Sequence, residues 1–275
     1  MHAAVPLALP APGAPFETHV VWARSVPLTV PDRGAVEGRV VGRVLEDAVP
    51  WDYAALAREL VAGGRGPVLD LGTGSGGLLA SFAPLPAGSA ATEGWPPHLP
   101  VARRRLGPLG VDVRATGRGD DQVLPFLDRQ FDVVLARHEE FDPDEVRRVL
   151  RPGGVFVTEQ LDSRDGIRVC AALGAELPWD PDSVTLDGAV DVLRGAGFVV
   201  DVAREHEGLR RYRDLGSLLG SLRTTASPVP ELAPLTPEAV ARFEAPLRAL
   251  HLHFAAGHEF VDEAPRFLVV ARASY

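Results

Sequence analysis

Val68-Leu69-Asp70-Leu71-Gly72-Thr73-Gly74-Ser75-Gly76-Gly77 is an apolar run that breaks into glycines and then opens a helical pattern. Glycine belongs where the backbone bends sharply and approaches a ligand with no Cβ in the way. Gly72, Gly74 and Gly77 satisfy the dinucleotide pattern G-x-G-x-x-G, whereas Gly72, Gly74 and Gly76 satisfy G-x-G-x-G. The loop marks a nucleotide-type site behind a buried strand and leaves the ligand open.

Outward from this loop, short apolar runs alternate with helical spacing. Strands are expected at Val68 to Leu71, Ala90 to Thr92, Val111 to Ala115, Phe131 to Ala136 and Val155 to Glu159. Helices are expected at Gly76 to Phe82, Pro97 to Leu106 and Pro143 to Leu150, the last with Asp142 as N-cap and Pro143 in its first turn. A further helix at Trp51 to Ala62, with Tyr53, Leu56, Leu60 and Val61 at helical spacing, stops at Gly63-Gly64 and leads into the first of these strands.

This alternation predicts an α/β fold: a doubly wound, mostly parallel seven-stranded sheet with helices on both faces. Phe198 to Ala203 and Phe267 to Ala271 close the sheet edge as an antiparallel pair, the last strand being the antiparallel one. The long stretch between them, with helical patterns at Leu215 to Arg223 and Pro237 to His253, reads as a helical insertion near the C-terminus. On this reading residues 1–50 are an arm and lead-in, of which 1–16 is Ala/Pro-rich and extended. Residues 51–207 are the binding domain, 208–264 the insertion and 265–275 the final strand.

Composition narrows the partners. The 275 residues carry a formal net charge of −9, and all 28 basic residues are arginine. No overall positive field exists to draw in a phosphate backbone, which disfavours a nucleic-acid substrate. Cys170 is the single cysteine, too few for a disulfide or a thiolate metal site within one chain. No apolar run is long enough to span a bilayer, and the N-terminus lacks the charged start of a secretory signal, so a cytoplasmic location is expected. The oligomeric state, homodimer included, is left undetermined.

Further positions decide the ligand. Glu93 ends the second strand about 20 residues after the loop, where a carboxylate can accept from ribose hydroxyls. The chain then reads Gly119-Asp120-Asp121-Gln122-Val123-Leu124-Pro125-Phe126 and later Val149-Leu150-Arg151-Pro152-Gly153-Gly154. Together with the glycine loop, these stretches resemble the class I S-adenosylmethionine-dependent methyltransferases over about Trp51 to Gln160. The resemblance implies a Rossmann-like domain that binds S-adenosylmethionine. It implies that Asp70, Leu71, Gly72, Thr73, Gly74 and Gly76 hold the amino-acid end of the cofactor and that Glu93 takes the ribose. Gly94 and Trp95 form the adenine surroundings, Asp120 with Asp121 meets the adenine edge, and Arg137 lies among the cofactor residues. Physics agrees, because S-adenosylmethionine carries an ammonium and a sulfonium but no phosphate, while Asp70 would repel a pyrophosphate at close range.

Methyl transfer needs chiefly a positioned nucleophile, so a catalytic base is optional. His138, in Ala136-Arg137-His138-Glu139-Glu140, is the candidate base or acceptor-orienting residue, with a backbone-fixing role as the plainer alternative. Glu139 and Glu140 read as solvated charges at a helix start. The fourth-strand segment lacks the [DN]-P-P-[YF] signature of family members that act on amide or base amino groups. His251, His253 and His258 read as interface or surface residues, because positions two apart on a helix point away from each other. Leu215, Leu218, Leu219 and Leu222 form an apolar stripe that faces either the cofactor cleft or the sheet edge, with Arg211, Tyr212 and Asp214 as candidates to orient the acceptor. The expected activity is methylation of an O, N or C nucleophile on a small molecule. An RNA or protein methyltransferase, an NAD-dependent oxidoreductase and a non-catalytic cofactor-binding protein are the rivals.

Overall fold

The computed structural model describes residues 9–25, 43–63, 66–116, 123–223 and 227–274. Strands among them are β1 (Val44–Glu46), β2 (Val68–Leu71), β3 (Ala90–Glu93), β4 (Asp112–Ala115), β5 (Phe131–Arg137), β6 (Leu150–Leu161), β7 (Phe198–His206), β8 (Leu209–Tyr212), β9 (Phe260–Glu263) and β10 (Arg266–Ala273). Among the described residues no helix is long and apolar enough to cross a membrane. Chain contacts divide the protein into two compact units.

The unit formed by Val49–Asp162, Ser183–His206 and Arg266–Tyr275 holds a seven-stranded sheet in the order β4-β3-β2-β5-β6-β10-β7. β10 runs antiparallel to both β6 and β7, and the other pairings are parallel. Side chains of period two sort the core into two layers. Val68, Val133, Leu135, Val155, Val157 and Leu268 pack with Ala57 and Val61 of helix Tyr53–Ala62 and with Ala102 and Leu106 of helix Leu99–Leu106. Leu69, Val134, Phe156, Phe267 and Val269 pack on the opposite face with Val146 and Val149 of helix Pro143–Val149 and with Val190 and Leu193 of helix Leu186–Gly195.

Local chemistry explains the element ends. The Asp142 carboxylate accepts from the N–H groups of Asp144 and Glu145 at 2.8 and 3.0 Å, and Pro143 follows it. The helix after the glycine loop is shorter than its pattern, Gly77–Ala80 in place of Gly76 to Phe82. The expected helix Pro237 to His253 is two helices, Pro237–Arg242 and Glu244–Ala255. Pro246 lacks the N–H that would bond back to Arg242, so the break falls there and the proline sits in the first turn of the second helix.

The other unit comprises Met1–Ala48, Ser163–Asp182 and Glu207–Pro265. It contains a three-stranded antiparallel sheet, β1-β8-β9, and helices including Phe16–Ser25, Ile167–Leu173 and Leu215–Ser221. The Leu215, Leu218, Leu219 and Leu222 stripe is spent here: all four are buried in one apolar cluster with Val20, Trp22, Leu173 and Leu247. The residues proposed to orient an acceptor are also engaged. Asp214 caps its helix through the Ser217 N–H at 2.8 Å, Arg211 pairs with Asp47 at 2.6 Å, and Tyr212 is buried. The half-buried His251 ring packs edge-on against the buried His19, with centroids 5.5 Å apart. No group of three His, Cys, Asp or Glu residues suited to a metal occurs among the described residues.

Candidate cofactor site

The chain lays β3 and β4 on one side of β2 and β5 and β6 on the other, which makes the β2/β5 boundary the point where strand order reverses. Open parallel sheets bind ligands at the carboxyl ends of strands at such a point. The glycine loop leaves β2 there. Its residues Gly72, Gly74 and Gly76 have φ of +58°, +61° and +75°, a region costly for any residue with a Cβ. The loop is tied to β3 by the Thr73 N–H donating to Thr92 O at 2.9 Å and closes on itself through Gly76 N–H to Thr73 O at 3.0 Å.

The three positive-φ glycines face different neighbours. A Cβ at Gly72 would run into the Glu139 carboxyl, one at Gly74 would stand 3.8 Å from the His98 ring, and one at Gly76 would lie 2.8 Å from Leu106 Cγ. Leu106 belongs to the packed core and cannot swing away. Gly76→Ala is therefore expected to destabilise the protein by about 1–3 kcal/mol more than Gly74→Ala, measured by urea denaturation. Equal losses at the two positions would contradict this placement.

Carboxylates converge around the loop. Asp70 is 7% exposed. Burial is the main reason its carboxyl is pushed up to about 7; the nearby Thr73 hydroxyl opposes the rise and the charge of Glu93 adds to it. No cation pairs with Asp70 among the described residues. At the end of β3, Glu93 accepts from the Trp95 N–H at 2.7 Å and stands 3.6 Å from His98 Nδ1. Trp95 and His98 meet edge to face, with ring centroids 5.2 Å apart, and Gly94 links the strand end to them. Asp120 and Asp121 lie outside the described residues.

On the other side of β2, Arg137 and Glu159 are cross-strand partners on β5 and β6. Arg137 Nε donates to Glu159 Oε1 at 2.8 Å, His138 Nε2 stands 3.3 Å from the same oxygen, and Trp51 Nε1 donates to Oε2 at 2.7 Å. Burial alone would raise the Glu159 carboxyl, but the His138 ring beside it and the hydrogen bonds from Arg137 and Trp51 outweigh it and hold the group at about 2. His138 has φ +57° and its backbone N–H donates to Glu159 O at 2.8 Å, so both its backbone and its ring are referred to one residue. Glu139, read as a solvated charge, instead lies against Gly72, and its carbonyl accepts from Gln160 Nε2 at 2.8 Å.

The structure thus brings Asp70, Leu71, Gly72, Thr73, Gly74, Gly76, Glu93, Gly94, Trp95, Arg137 and His138 to adjoining strand ends of one sheet. Trp51, His98 and Glu159 join them without having been singled out, and Glu139 joins them although it was read as a solvated charge. For Trp51 and Glu159 no sequence signal existed, since the partners are 108 positions apart. His98 sits five residues after Glu93, just ahead of the next helix, a position that inspection of that turn could have flagged.

Comparison with known proteins agrees with this geometry. Residues 68–154 match a family described as a methyltransferase domain. The chain is 28% identical over 128 residues to a sterol 4-C-methyltransferase of Caenorhabditis elegans, covering 44% of this chain and 38% of that protein. It is 31% identical over 149 residues to a ubiquinone biosynthesis O-methyltransferase of Cereibacter sphaeroides, covering 48% of this chain and 59% of that protein. The chain thus spans about two fifths to three fifths of the curated relatives it matches. A candidate methyltransferase from Bacillus halodurans C-125 shares the fold with a TM-score of 0.55 at 19% identity, over 81% of this chain and 99% of that one. Over residues 68–154, which hold the β2 glycine loop, the chain is thus similar to methyltransferase domains, and its seven-stranded sheet has the Rossmann-like fold of a methyltransferase neighbour.

Proposed function

We propose that the protein transfers a methyl group from S-adenosylmethionine to a nucleophile on a small, largely apolar molecule. The observation that carries this reading is Asp70, a carboxylate buried at the glycine bend with Glu93 near it and no cation beside it among the described residues. A buried acid in that state favours a positively charged ligand. The donor set also fits the rest of the cofactor: Glu93 has lone pairs to spare for ribose hydroxyls, and Gly94 with Trp95 offers a flat, partly apolar surface for adenine. A pyrophosphate would meet Asp70, Glu93 and Glu139 together, which argues against a dinucleotide. When bound, S-adenosylmethionine supplies an electrophilic methyl group on a sulfonium.

The chain's own residues bind and orient. Asp70 with the loop N–H groups takes the amino-acid end, Glu93 the ribose, and Arg137 steadies this edge through Glu159. His138, fixed by Glu159, orients the acceptor or receives its proton. The two relatives named above act on a sterol carbon and in ubiquinone biosynthesis at oxygen, which supports an apolar organic acceptor and leaves the atom methylated open.

Incubation of the protein with methyl-labelled S-adenosylmethionine and a panel of phenols, quinols, sterols and amines tests the proposal. Label is expected in an apolar small molecule. Label entering RNA or protein while every small acceptor stays unlabelled would overturn it in favour of a macromolecular substrate.

A further inference from the structure

We infer that Tyr53 is a cofactor-binding residue whose phenol hydroxyl serves the carboxylate of the cofactor's amino-acid end. The inference rests on the cofactor reading above. Asp52 accepts from the Ala55 N–H at 2.9 Å and so caps helix Tyr53–Ala62, which makes Tyr53 its first residue and sets the ring into the sheet. There the ring joins the apolar layer of Leu135 and Val157 and is only 4% exposed, with the Arg137 guanidinium 5.8 Å from its centroid.

The hydroxyl is buried and meets no hydrogen-bond partner among the described residues. Leaving such a group unpaired is destabilising, and phenylalanine would fill the same space without that penalty. Burial first, then the carboxylates of Asp70 and Glu159, push the phenol well above its ordinary value, with Arg137 opposing. Tyr53 therefore keeps its proton and is a donor, within the field of the Asp70 carboxylate. A cofactor ending in an ammonium and a carboxylate divides between the two: Asp70 takes the ammonium and Tyr53 donates to the carboxylate.

Calorimetry on the full chain carrying Tyr53→Phe tests this with two ligands, S-adenosylhomocysteine and 5′-methylthioadenosine, the second of which lacks both charged groups. The Kd for S-adenosylhomocysteine is expected to rise about tenfold. The Kd for methylthioadenosine is expected to change by less than about twofold, and the ligand-free variant to melt no lower than wild type. Unchanged affinity for S-adenosylhomocysteine, or an equal loss for both ligands, would overturn the role of Tyr53. Wild-type protein that binds neither ligand would overturn the cofactor reading itself, a different failure.

Discussion

Asp70→Asn is expected to weaken S-adenosylhomocysteine binding at pH 8 by at least about tenfold while making the ligand-free protein more stable at the same pH. Both effects follow from the Asp70 carboxyl titrating near 7, raised chiefly by burial. A group whose folded value lies above its unfolded one, here 3.8, contributes stability that is fully present below the unfolded value and lost as pH rises through about 7. At pH 8 wild type bears a buried charge that asparagine avoids, and at pH 4 the two should be nearly alike. Binding runs the other way: a cationic ligand prefers ionised Asp70, so wild-type affinity should fall as pH drops below about 7, by at most about tenfold per unit, and the variant should lose this dependence. Calorimetry and thermal melts across pH 5 to 8 read both arms. Equal affinities, or a variant less stable than wild type at pH 8, would remove Asp70 from the site.

Glu159→Ala should cost about 2–4 kcal/mol of stability near neutral pH, because it strips a buried acceptor from the Trp51 and Arg137 donors and removes the carboxylate beside the His138 ring. Trp51 carries most of this cost, since the Arg137 side chain is 44% exposed and can turn to water. Here the sign is reversed. Glu159 sits at about 2, below its ordinary 4.5, so its stabilisation is present above 4.5 and lost as pH falls toward 2. Urea denaturation should therefore show the gap between wild type and variant narrowing over that interval. A gap under about 0.5 kcal/mol at pH 7 would mean the three contacts are incidental. Glu159→Gln keeps one acceptor oxygen and is expected to fall between the two.

The sheet was legible because its signals are local. The alternation of apolar runs and helical spacing placed all seven strands, and the single antiparallel strand was expected from the paired runs near residues 200 and 270. The second unit was not legible in the same way. β1 has three residues, and its partner β8 lies 166 positions on, so no nearby pattern records that Leu45 pairs with Arg211. The helices Phe16–Ser25 and Ile167–Leu173 went unread, the first because it follows an Ala/Pro-rich stretch that pointed to extended chain. Leu215, Leu218, Leu219 and Leu222 were read with the correct period, but period gives a face and not what covers it.

The site divides along the same line. Strand ends and glycine spacing single out Asp70, the glycines and Glu93, which the fold places at adjoining strand ends. Trp51, Tyr53 and Glu159 read as ordinary apolar or strand-end positions, and their chemistry emerges only when the fold sets the residues before β2 against the end of β6. Burial turned Glu139 from an assumed surface charge into a neighbour of Gly72.

The most direct measurement is a thermal-shift titration of the wild-type chain with S-adenosylhomocysteine and, separately, with NAD. A ligand that binds only the folded state raises the melting temperature with its concentration. The account predicts a saturable rise with S-adenosylhomocysteine and none with NAD. A rise with NAD and none with S-adenosylhomocysteine would contradict it.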